Sequence, residues 1–217
     1  KYNFDGKLIS RELDGSINSS TYGATIKRSK KLANALTKLG VNIHDRVATI
    51  AWNNSRHFET YFAVSGMGAI LHTLNPRYSP DQLIYILNHA EDTVLIIDAT
   101  FIPLVESVQD KLDTVETIIV TSSLDTIPEN NLKNVLSYEE LIKDESDQYD
   151  WPELDEDDAA SLCYTSGTTG NPKGVLYSHR STILHAISIS GTMGFESSSS
   201  VLPVVPLFHV NAWGVPY

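Results

Sequence analysis

A run of ten residues near the carboxyl end of the sequence has the composition of an anion-binding loop. Residues 165–174 read TSGTTGNPKG and hold three glycines, four hydroxyl side chains and one lysine. Glycines let backbone N–H groups approach an anion closely, hydroxyls donate hydrogen bonds to phosphate oxygens, and Lys173 adds a mobile positive charge. The pattern predicts phosphate recognition, although a polar hairpin loop has a similar composition.

Two common phosphate loops do not account for this run. The nucleoside-triphosphate loop requires Gly-Lys-Ser or Gly-Lys-Thr after its first glycine and four spacers, whereas this sequence has Pro172, Lys173 and Gly174. The dinucleotide-binding fingerprint requires G-x-G-x-x-G at the start of a helix, and the glycines here are spaced differently. A phosphate-binding role therefore requires a different class of loop.

Strand-forming segments bound the loop, and strands alternate with helices before it. An apolar segment over 159–164 leads into the loop, and a second alternating segment over 175–178 leads out. Upstream, Thr21 and Ser79 are typical helix N-caps, and a weaker helix is predicted over 101–112. The segments predicted as buried upstream strands are 47–52, 69–74, 93–98 and 117–120. This alternation predicts an α/β fold with a parallel sheet.

The composition of the 217-residue chain narrows its possible functions. The formal net charge of −11 argues against nucleic-acid binding, which requires basic side chains to neutralise phosphates. The single cysteine, Cys163, excludes an internal disulfide and a multi-cysteine metal site, and it is typical of a reducing, cytoplasmic compartment. No apolar run approaches the roughly 18 residues of a membrane span, and the first residues, KYNFDGK, lack the apolar stretch of a secretory signal.

A strongly acidic segment divides the chain into three regions. Residues 144–158 hold nine acidic side chains and no basic one, which is typical of a solvated loop. The segment lacks the regular ligand spacing and the glycine of a calcium loop. We therefore expect an α/β region over 1–143, an acidic linker over 144–158, and a strand-rich segment carrying the loop over 159–217. Because the chain has no initiator methionine and ends just after an apolar run, we expect it to be a piece of a longer protein.

The segment from Tyr164 to Gly174, YTSGTTGNPKG, resembles without interruption the signature phosphate loop of the adenylate-forming enzymes. That superfamily includes acyl-CoA synthetases, the adenylation domains of peptide synthetases and beetle luciferases. Two further stretches are similar to family motifs, GAILHTLNPR at 68–77 and VVPLFHVNAWGVPY at 204–217. The second stretch is most similar to the fatty-acyl-CoA synthetase branch, including its small thioether-acid relatives. The resemblance covers essentially the whole chain, but well under half of a complete family member.

The resemblance implies an acyl-CoA synthetase with layered sheets and helices and a two-step reaction. A carboxylate attacks the α-phosphate of ATP to give an acyl-adenylate and pyrophosphate, and coenzyme A (CoA) then displaces AMP to form a thioester. Mg²⁺ is expected to bridge phosphate oxygens, and Lys173 is expected to neutralise their charge. The residues implied to line the ATP phosphates are Thr165, Ser166, Gly167, Thr168, Thr169 and Gly170.

His209 and Trp213 are the residues that the second motif implies near the acyl substrate. By this resemblance His209 lies beside the acyl carboxylate and the adenylate. Trp213, four residues later, would share a face with His209 on a helix and would line the acyl pocket. Each could instead be a packed core residue. Arg77 lies in a stretch like a family motif, and we expect it only to brace a turn, whereas we expect Cys163 to be a small buried hydrophobic residue.

The sequence leaves open which acid is activated and which molecule accepts the acyl group. A carrier protein or oxygen could replace CoA, and the acid could be a medium or long fatty acid or a short sulfur-containing acid. A binding or regulatory protein could also keep the loop without catalysis. The family uses a Thr-Glu pair for magnesium, an Asp for the ribose, a hinge and a C-terminal Lys, and none of these has a matching motif here. We therefore expect the chain to be inactive alone. The oligomeric state stays open on this sequence, although the resemblance implies a homodimer as one possibility, because synthetases of this branch are often dimers.

Overall fold

A computed structural model describes residues 4–165 and 171–217 of the chain. The strands are β1 (Lys7–Arg11), β2 (Ile17–Thr21), β3 (Arg46–Ile50), β4 (Ile70–Thr73), β5 (Val94–Ile97), β6 (Thr117–Val120), β7 (Val135–Ser137), β8 (Ala159–Tyr164) and β9 (Gly174–Ser178). The α-helices are α1 (Tyr22–Lys38), α2 (Ser55–Gly66), α3 (Pro80–Ala90), α4 (Ile102–Glu106), α5 (Tyr138–Lys143) and α6 (His179–Met193). None of these helices is both long and apolar enough to cross a membrane.

Seven of the described strands form one sheet in the order β7-β6-β5-β3-β4-β8-β9. Neighbouring strands from β7 to β8 are parallel, and β9 runs antiparallel to β8. Parallel neighbours need crossover connections, which α2, α3 and α4 supply between β3, β4, β5 and β6. The strands β1 and β2 form a separate antiparallel hairpin. The predicted α/β fold, built on a mostly parallel sheet, is confirmed.

Helices cover both faces of the sheet, which explains why its central strands are continuous apolar runs. On one face α3 and α4 pack a core that includes Ile86, and on the other α1 and α2 pack a core that includes Leu36. Successive side chains of β5 divide between the two layers, since Leu95 belongs to the first core and Ile96 to the second. Two buried layers hold the sheet rigid, so its strand ends can position a site.

The helix starts follow the capping signals in the sequence. The Thr21 side chain accepts a hydrogen bond from the Ala24 N–H at 3.1 Å at the start of α1. At the start of α3, Ser79 Oγ accepts from the Gln82 N–H at 3.3 Å, and Gln82 Oε1 accepts from the Ser79 N–H at 3.0 Å. These reciprocal bonds satisfy N–H groups that a helix leaves unpaired. Both predicted N-caps are confirmed.

Other predicted elements differ from the structure. The helix expected over 101–112 is reduced to α4, with short 3-10 segments at Ala99–Phe101 and Gln109–Lys111 on either side. The elements β7, α5 and α6 have no counterpart among the predictions. No side chain of α6 is buried in the described structure.

The acidic segment over 144–158 is irregular, and two of its apolar side chains touch the body of the fold. A Cβ added to Gly66 would lie 2.9 Å from Trp151, and one added to Gly68 would lie 2.7 Å from Leu154. Both glycines are therefore sites of close approach that a larger residue would disturb. The segment leads into β8, which pairs with β4, so the chain before and after it builds one sheet.

Candidate active site

The two ends of the predicted phosphate loop are held together by β8 and β9. Tyr164, the last residue of β8, pairs with Gly174, the first residue of β9. The Thr165 N–H donates to the Lys173 carbonyl at 2.9 Å, and both residues are exposed. The other predicted phosphate ligands, which lie outside the described residues, are Ser166, Gly167, Thr168, Thr169 and Gly170.

Tyr164 anchors the entry of the loop through both its backbone and its side chain. Its carbonyl accepts a hydrogen bond from the Tyr78 hydroxyl at 2.9 Å, and its own hydroxyl lies 2.7 Å from His89 Nδ1. Burial is the main cause that raises the pKa of Tyr164 to about 12, so the phenol is neutral near neutral pH. No local pattern in the sequence marks Tyr78 or His89 as site residues. Their nearest signal is the stretch around the Asn-Pro-Arg turn, which resembles a family motif.

A fully buried His–Asp pair lies beneath the Tyr164 ring. The centroids of the His72 and Tyr164 rings are 5.2 Å apart, and His72 Nδ1 is 2.7 Å from Asp92 Oδ2. Both side chains of the pair have no exposed surface. Burial raises the pKa of Asp92, and the attraction of His72 opposes that shift. Replacing either residue would leave the other buried in the core without its partner, which is strongly destabilising. The signal for His72 in the sequence is a polar residue inside an otherwise apolar strand.

The second motif reaches the same edge of the sheet. The Asn211 side-chain N–H donates to Thr73 Oγ1 at 3.3 Å, and Thr73 ends β4 beside Cys163 of β8. Because β4 and β8 are parallel, their carboxyl ends meet at one edge, where open α/β sheets usually bind ligands. The structure therefore brings the segment around His209 and the base of the loop to one edge.

His209 is exposed, although the two residues before it are buried. Leu207 and Phe208 are 3% and 5% exposed, and the Phe208 ring meets the Trp52 ring nearly edge-on at 6.0 Å. The His209 N–H donates to the Pro206 carbonyl at 2.9 Å, which fixes its backbone. His209 is therefore not the packed core residue of the alternative interpretation, and its imidazole is accessible to a ligand.

A cavity of about 530 Å³ opens beside Trp213. Its lining residues include Ser161, Tyr177, Ser181, His185, Trp213 and Tyr217. His209 is not among the residues that line this cavity. The Trp213 side chain is 58% exposed, so it is not an ordinary core aromatic residue.

Residues 210–214 form a left-handed turn, and the expectation that a helix aligns Trp213 with His209 is wrong. The four residues before Gly214 have φ between 45° and 55°, the opposite hand to an α-helix. His185 Nε2 lies 2.8 Å from the Trp213 carbonyl and holds this turn against α6. A Cβ on Gly214 would come within 2.8 Å of His185 Cδ2, so this close approach requires glycine.

Cys163 and Arg77, the other two candidate residues, lie in a strand and in a turn. Cys163 is 7% exposed, and burial raises the pKa of its thiol, as expected for a small buried hydrophobic residue. The Arg77 N–H donates to Asn75 Oδ1 at 3.0 Å within the turn between β4 and α3. Among residues 4–165 and 171–217, no group of three or more His, Cys, Asp or Glu could hold a metal ion.

Comparison with known families decides how these features are interpreted. The AMP-binding enzyme family matches residues 7–217, which includes the loop, both flanking strands and the turn of Trp213. The chain belongs to the AMP-binding enzyme family. The resemblance predicted from the loop motif is thereby confirmed, and the loop base, His209 and the residues lining the cavity all lie within the matched range.

Curated relatives of this family member include several CoA ligases. The chain is 47% identical over 219 residues to the 3-methylmercaptopropionyl-CoA ligase of Ruegeria pomeroyi, covering 100% of this chain and 41% of the relative. It is 46% identical to the medium-chain-fatty-acid–CoA ligase of Ectopseudomonas oleovorans, again covering 100% of this chain and 40% of the relative. The chain therefore spans about two fifths of the length of these relatives.

Solved structures of larger family members contain the same fold. A crystal structure of an anthranilate CoA ligase in complex with anthranoyl-AMP matches 92% of this chain and 39% of its own, with a TM-score of 0.80 and 26% identity. A long-chain-fatty-acid-CoA ligase from Archaeoglobus fulgidus matches 91% of this chain and 38% of its own, with a TM-score of 0.79. Because the Archaeoglobus fulgidus ligase is only 24% identical to this chain, its match supports a shared fold and nothing further.

Proposed function

We propose that the full-length protein is an AMP-forming acid–CoA ligase, which activates a carboxylic acid with ATP and transfers it to CoA. The observation that carries this proposal is the YTSGTTGNPKG loop between β8 and β9, at the sheet edge that Asn211, two residues after His209, also reaches. The relatives from Ruegeria pomeroyi and Ectopseudomonas oleovorans, both CoA ligases, support the same acceptor. An adenylating enzyme that uses a carrier protein or oxygen is the second candidate.

In the first step of the proposed reaction, a carboxylate oxygen forms a bond to the α-phosphorus of ATP. The bond from that phosphorus to the bridging oxygen breaks, and pyrophosphate leaves with the electron pair. Negative charge grows on the departing phosphates, and preorganised N–H groups, hydroxyls and a cation stabilise such charge. We assign this role to Thr165, Ser166, Gly167, Thr168, Thr169, Gly170 and Lys173. The exposed His209 is proposed to lie beside the acyl carboxylate.

In the second step the sulfur of CoA attacks the acyl carbon, the bond to the adenylate oxygen breaks, and AMP leaves. The thiol proton passes to solvent or to a base. Mg²⁺ is proposed to accompany ATP as a counter-charge to its phosphates. Because the described residues hold no ligand cluster for a cation, we derive no step through the ion.

We assign the cavity beside Trp213 to the acyl group of the substrate. It has a volume of about 530 Å³, and aromatic side chains such as Trp213 and Tyr217 contribute to its walls. Fatty acids and short thioether-containing acids are the proposed substrate classes, because relatives that are 46–47% identical to this chain are ligases of such acids. The chain length of the acid is a question for measurement.

The full-length enzyme incubated with ATP, Mg²⁺ and an acid panel is expected to release pyrophosphate only when an acid is present. Adding CoA should then give a thioester and AMP. Acid-dependent pyrophosphate without thioester formation would favour the carrier-protein or oxygen alternative. No acid-dependent pyrophosphate from any acid of the panel would contradict adenylation itself and would favour a non-catalytic relative.

Tyr78→Phe in the full-length enzyme is expected to lower kcat/KM for ATP about threefold to tenfold, because one neutral hydrogen bond to the loop entry is lost. The melting temperature should change little, since the ring stays in place. Initial rates at varied ATP and saturating acid check the prediction. Tyr22→Phe is the matched control, since the Tyr22 side chain is 43% exposed on α1. Equal ATP kinetics for both variants would contradict the role of Tyr78.

We propose a cytoplasmic location and a homodimeric assembly for the full-length enzyme. The single cysteine supports the location, since it is typical of a reducing compartment. The dimer follows from the resemblance to the fatty-acyl-CoA synthetase branch. Fractionation of cells and sedimentation of the purified enzyme test the two proposals separately.

A further inference from the structure

Asn53 joins two parts of the chain that are far apart in sequence. Its side-chain oxygen accepts a hydrogen bond from the Leu207 N–H at 2.6 Å. Its side-chain N–H group faces the carbonyls of Pro203 at 3.4 Å and Val205 at 3.3 Å. One amide therefore meets three backbone groups of a segment about 150 residues later, directly before His209.

A buried carboxylate fixes the turn that carries Asn53. Asp98 is 1% exposed and follows β5. It accepts a hydrogen bond from the Trp52 N–H at 2.6 Å and from the Asn54 side chain at 3.0 Å, and Thr121 Oγ1 donates to it as well. The residues on both sides of Asn53 are thus tied to one core group. Such a support holds a side chain in the orientation that its own bonds require.

The segment that Asn53 binds has little packing of its own. Leu202 and Val204 are 85% and 86% exposed, and no helix or strand forms between residues 201 and 209. Burial begins only at Leu207, whose carbonyl accepts a hydrogen bond from the Tyr61 hydroxyl. The hydrogen bonds of Asn53 therefore hold the backbone of this segment just before its full burial begins.

We propose that Asn53 is a positioning residue for the acid-activating step, which acts by fixing residues 203–207 and so the place of His209. The inference rests on the proposed role of His209 beside the acyl carboxylate. A shift of about 1 Å in a group that orients a reacting atom can cost orders of magnitude in rate. Asn53 itself is exposed, so truncating it opens no cavity in the core.

The experiment compares four variants of the full-length enzyme: Asn53→Ala, Asn53→Asp, His209→Ala and Asn130→Ala. Asn130 is the matched control, because its half-buried side chain also bonds a backbone carbonyl, at 2.8 Å, and a backbone N–H, at 3.2 Å, but far along the chain from His209. The measurements are kcat/KM for the acid, the dissociation constant for ATP without acid, and the melting temperature.

Asn53→Ala is expected to lower kcat/KM for the acid about fivefold to tenfold, with ATP affinity and melting temperature near those of the parent. Asn53→Asp keeps the acceptor for the Leu207 N–H but turns a carboxylate oxygen toward the Pro203 and Val205 carbonyls, so its loss should be at least as large. If Asn53→Ala does not fold, the same kinetic measurements on Asn53→Asp test the proposal. The proposal would be overturned if Asn53→Ala and Asn130→Ala had the same kcat/KM for the acid. It would also be overturned if Asn53→Ala weakened ATP binding and lowered the melting temperature as much as it slowed the use of the acid. If His209→Ala had no effect on acid kinetics, the assigned role of His209 would fail instead.

Discussion

Lys173→Ala in the full-length enzyme is expected to reduce kcat/KM for ATP by about tenfold to a hundredfold, with a much smaller effect on the acid. A hydrogen bond from a charged donor is typically worth about 1.5–3 kcal/mol, which corresponds to that range. Lys173 lies where the loop returns to β9, and its carbonyl is fixed by the Thr165 N–H at 2.9 Å. Its backbone is thus held in place while its exposed side chain is available to the phosphates.

Steady-state rates at varied ATP and fixed, saturating acid measure the effect of Lys173→Ala. The control is Lys133→Ala, which removes an exposed cation paired with Asp110 at 2.6 Å just before β7, a strand at the far edge of the sheet. The control should leave ATP kinetics unchanged, because surface ion pairs contribute little. ATP kinetics of Lys173→Ala within about twofold of the parent would make Lys173 a surface residue without function, and the loop assignment would weaken.

The parts of the fold that the sequence predicts are those whose signals are local. The run TVLIID over 93–98 contains β5, because a strand buried on both faces must be apolar at every position. The capping box of α3 is complete within four residues, from Ser79 to Gln82, so neighbouring residues suffice to recognise it. The loop motif is likewise contiguous, and its family assignment is correct for the same reason.

The residues that hold the candidate site in place do so through contacts between distant parts of the chain, which no local sequence pattern contains. Tyr78 meets Tyr164 across 86 residues, and Asn53 meets Leu207 across 154. Polar pairs of this kind have no periodicity, so only the folded chain reveals them. The left-handed turn before Gly214 was missed because it begins with a β-branched residue, Val210, which rarely adopts positive φ.

Helix α6 shows a second limit of sequence patterns. The spacing of its apolar residues Ile183, Leu184 and Ile187 places them on one helix face, yet they are 55%, 54% and 65% exposed among the described residues. The chain spans about two fifths of its relatives' length, so a pattern set by the complete protein is only partly interpretable here.

Trp213→Ala in the full-length enzyme is expected to change which acids are accepted and to leave ATP binding nearly intact. Trp213 lines the cavity of about 530 Å³, where an indole fills space that an acyl chain could occupy. Each methylene in an apolar pocket is worth about 1–3 kcal/mol of discrimination, so the ratio of kcat/KM between a longer and a shorter acid should change by roughly tenfold or more. Because the side chain is 58% exposed, the loss of stability should be small.

The matched control for Trp213→Ala is Trp151→Ala. Trp151 is 39% exposed, packs against the backbone at Gly66 and lies 4.9 Å from the Tyr149 ring, and it does not line the cavity. Its removal should lower the melting temperature and leave the acid profile unchanged. Measuring kcat/KM across a chain-length series together with the melting temperature separates the two roles. A core role for Trp213 would cost about 3–5 kcal/mol of stability with an unchanged profile. That result would remove Trp213 from the acyl pocket, whereas a shifted profile at nearly constant stability would identify it as the residue that limits the length of the acid.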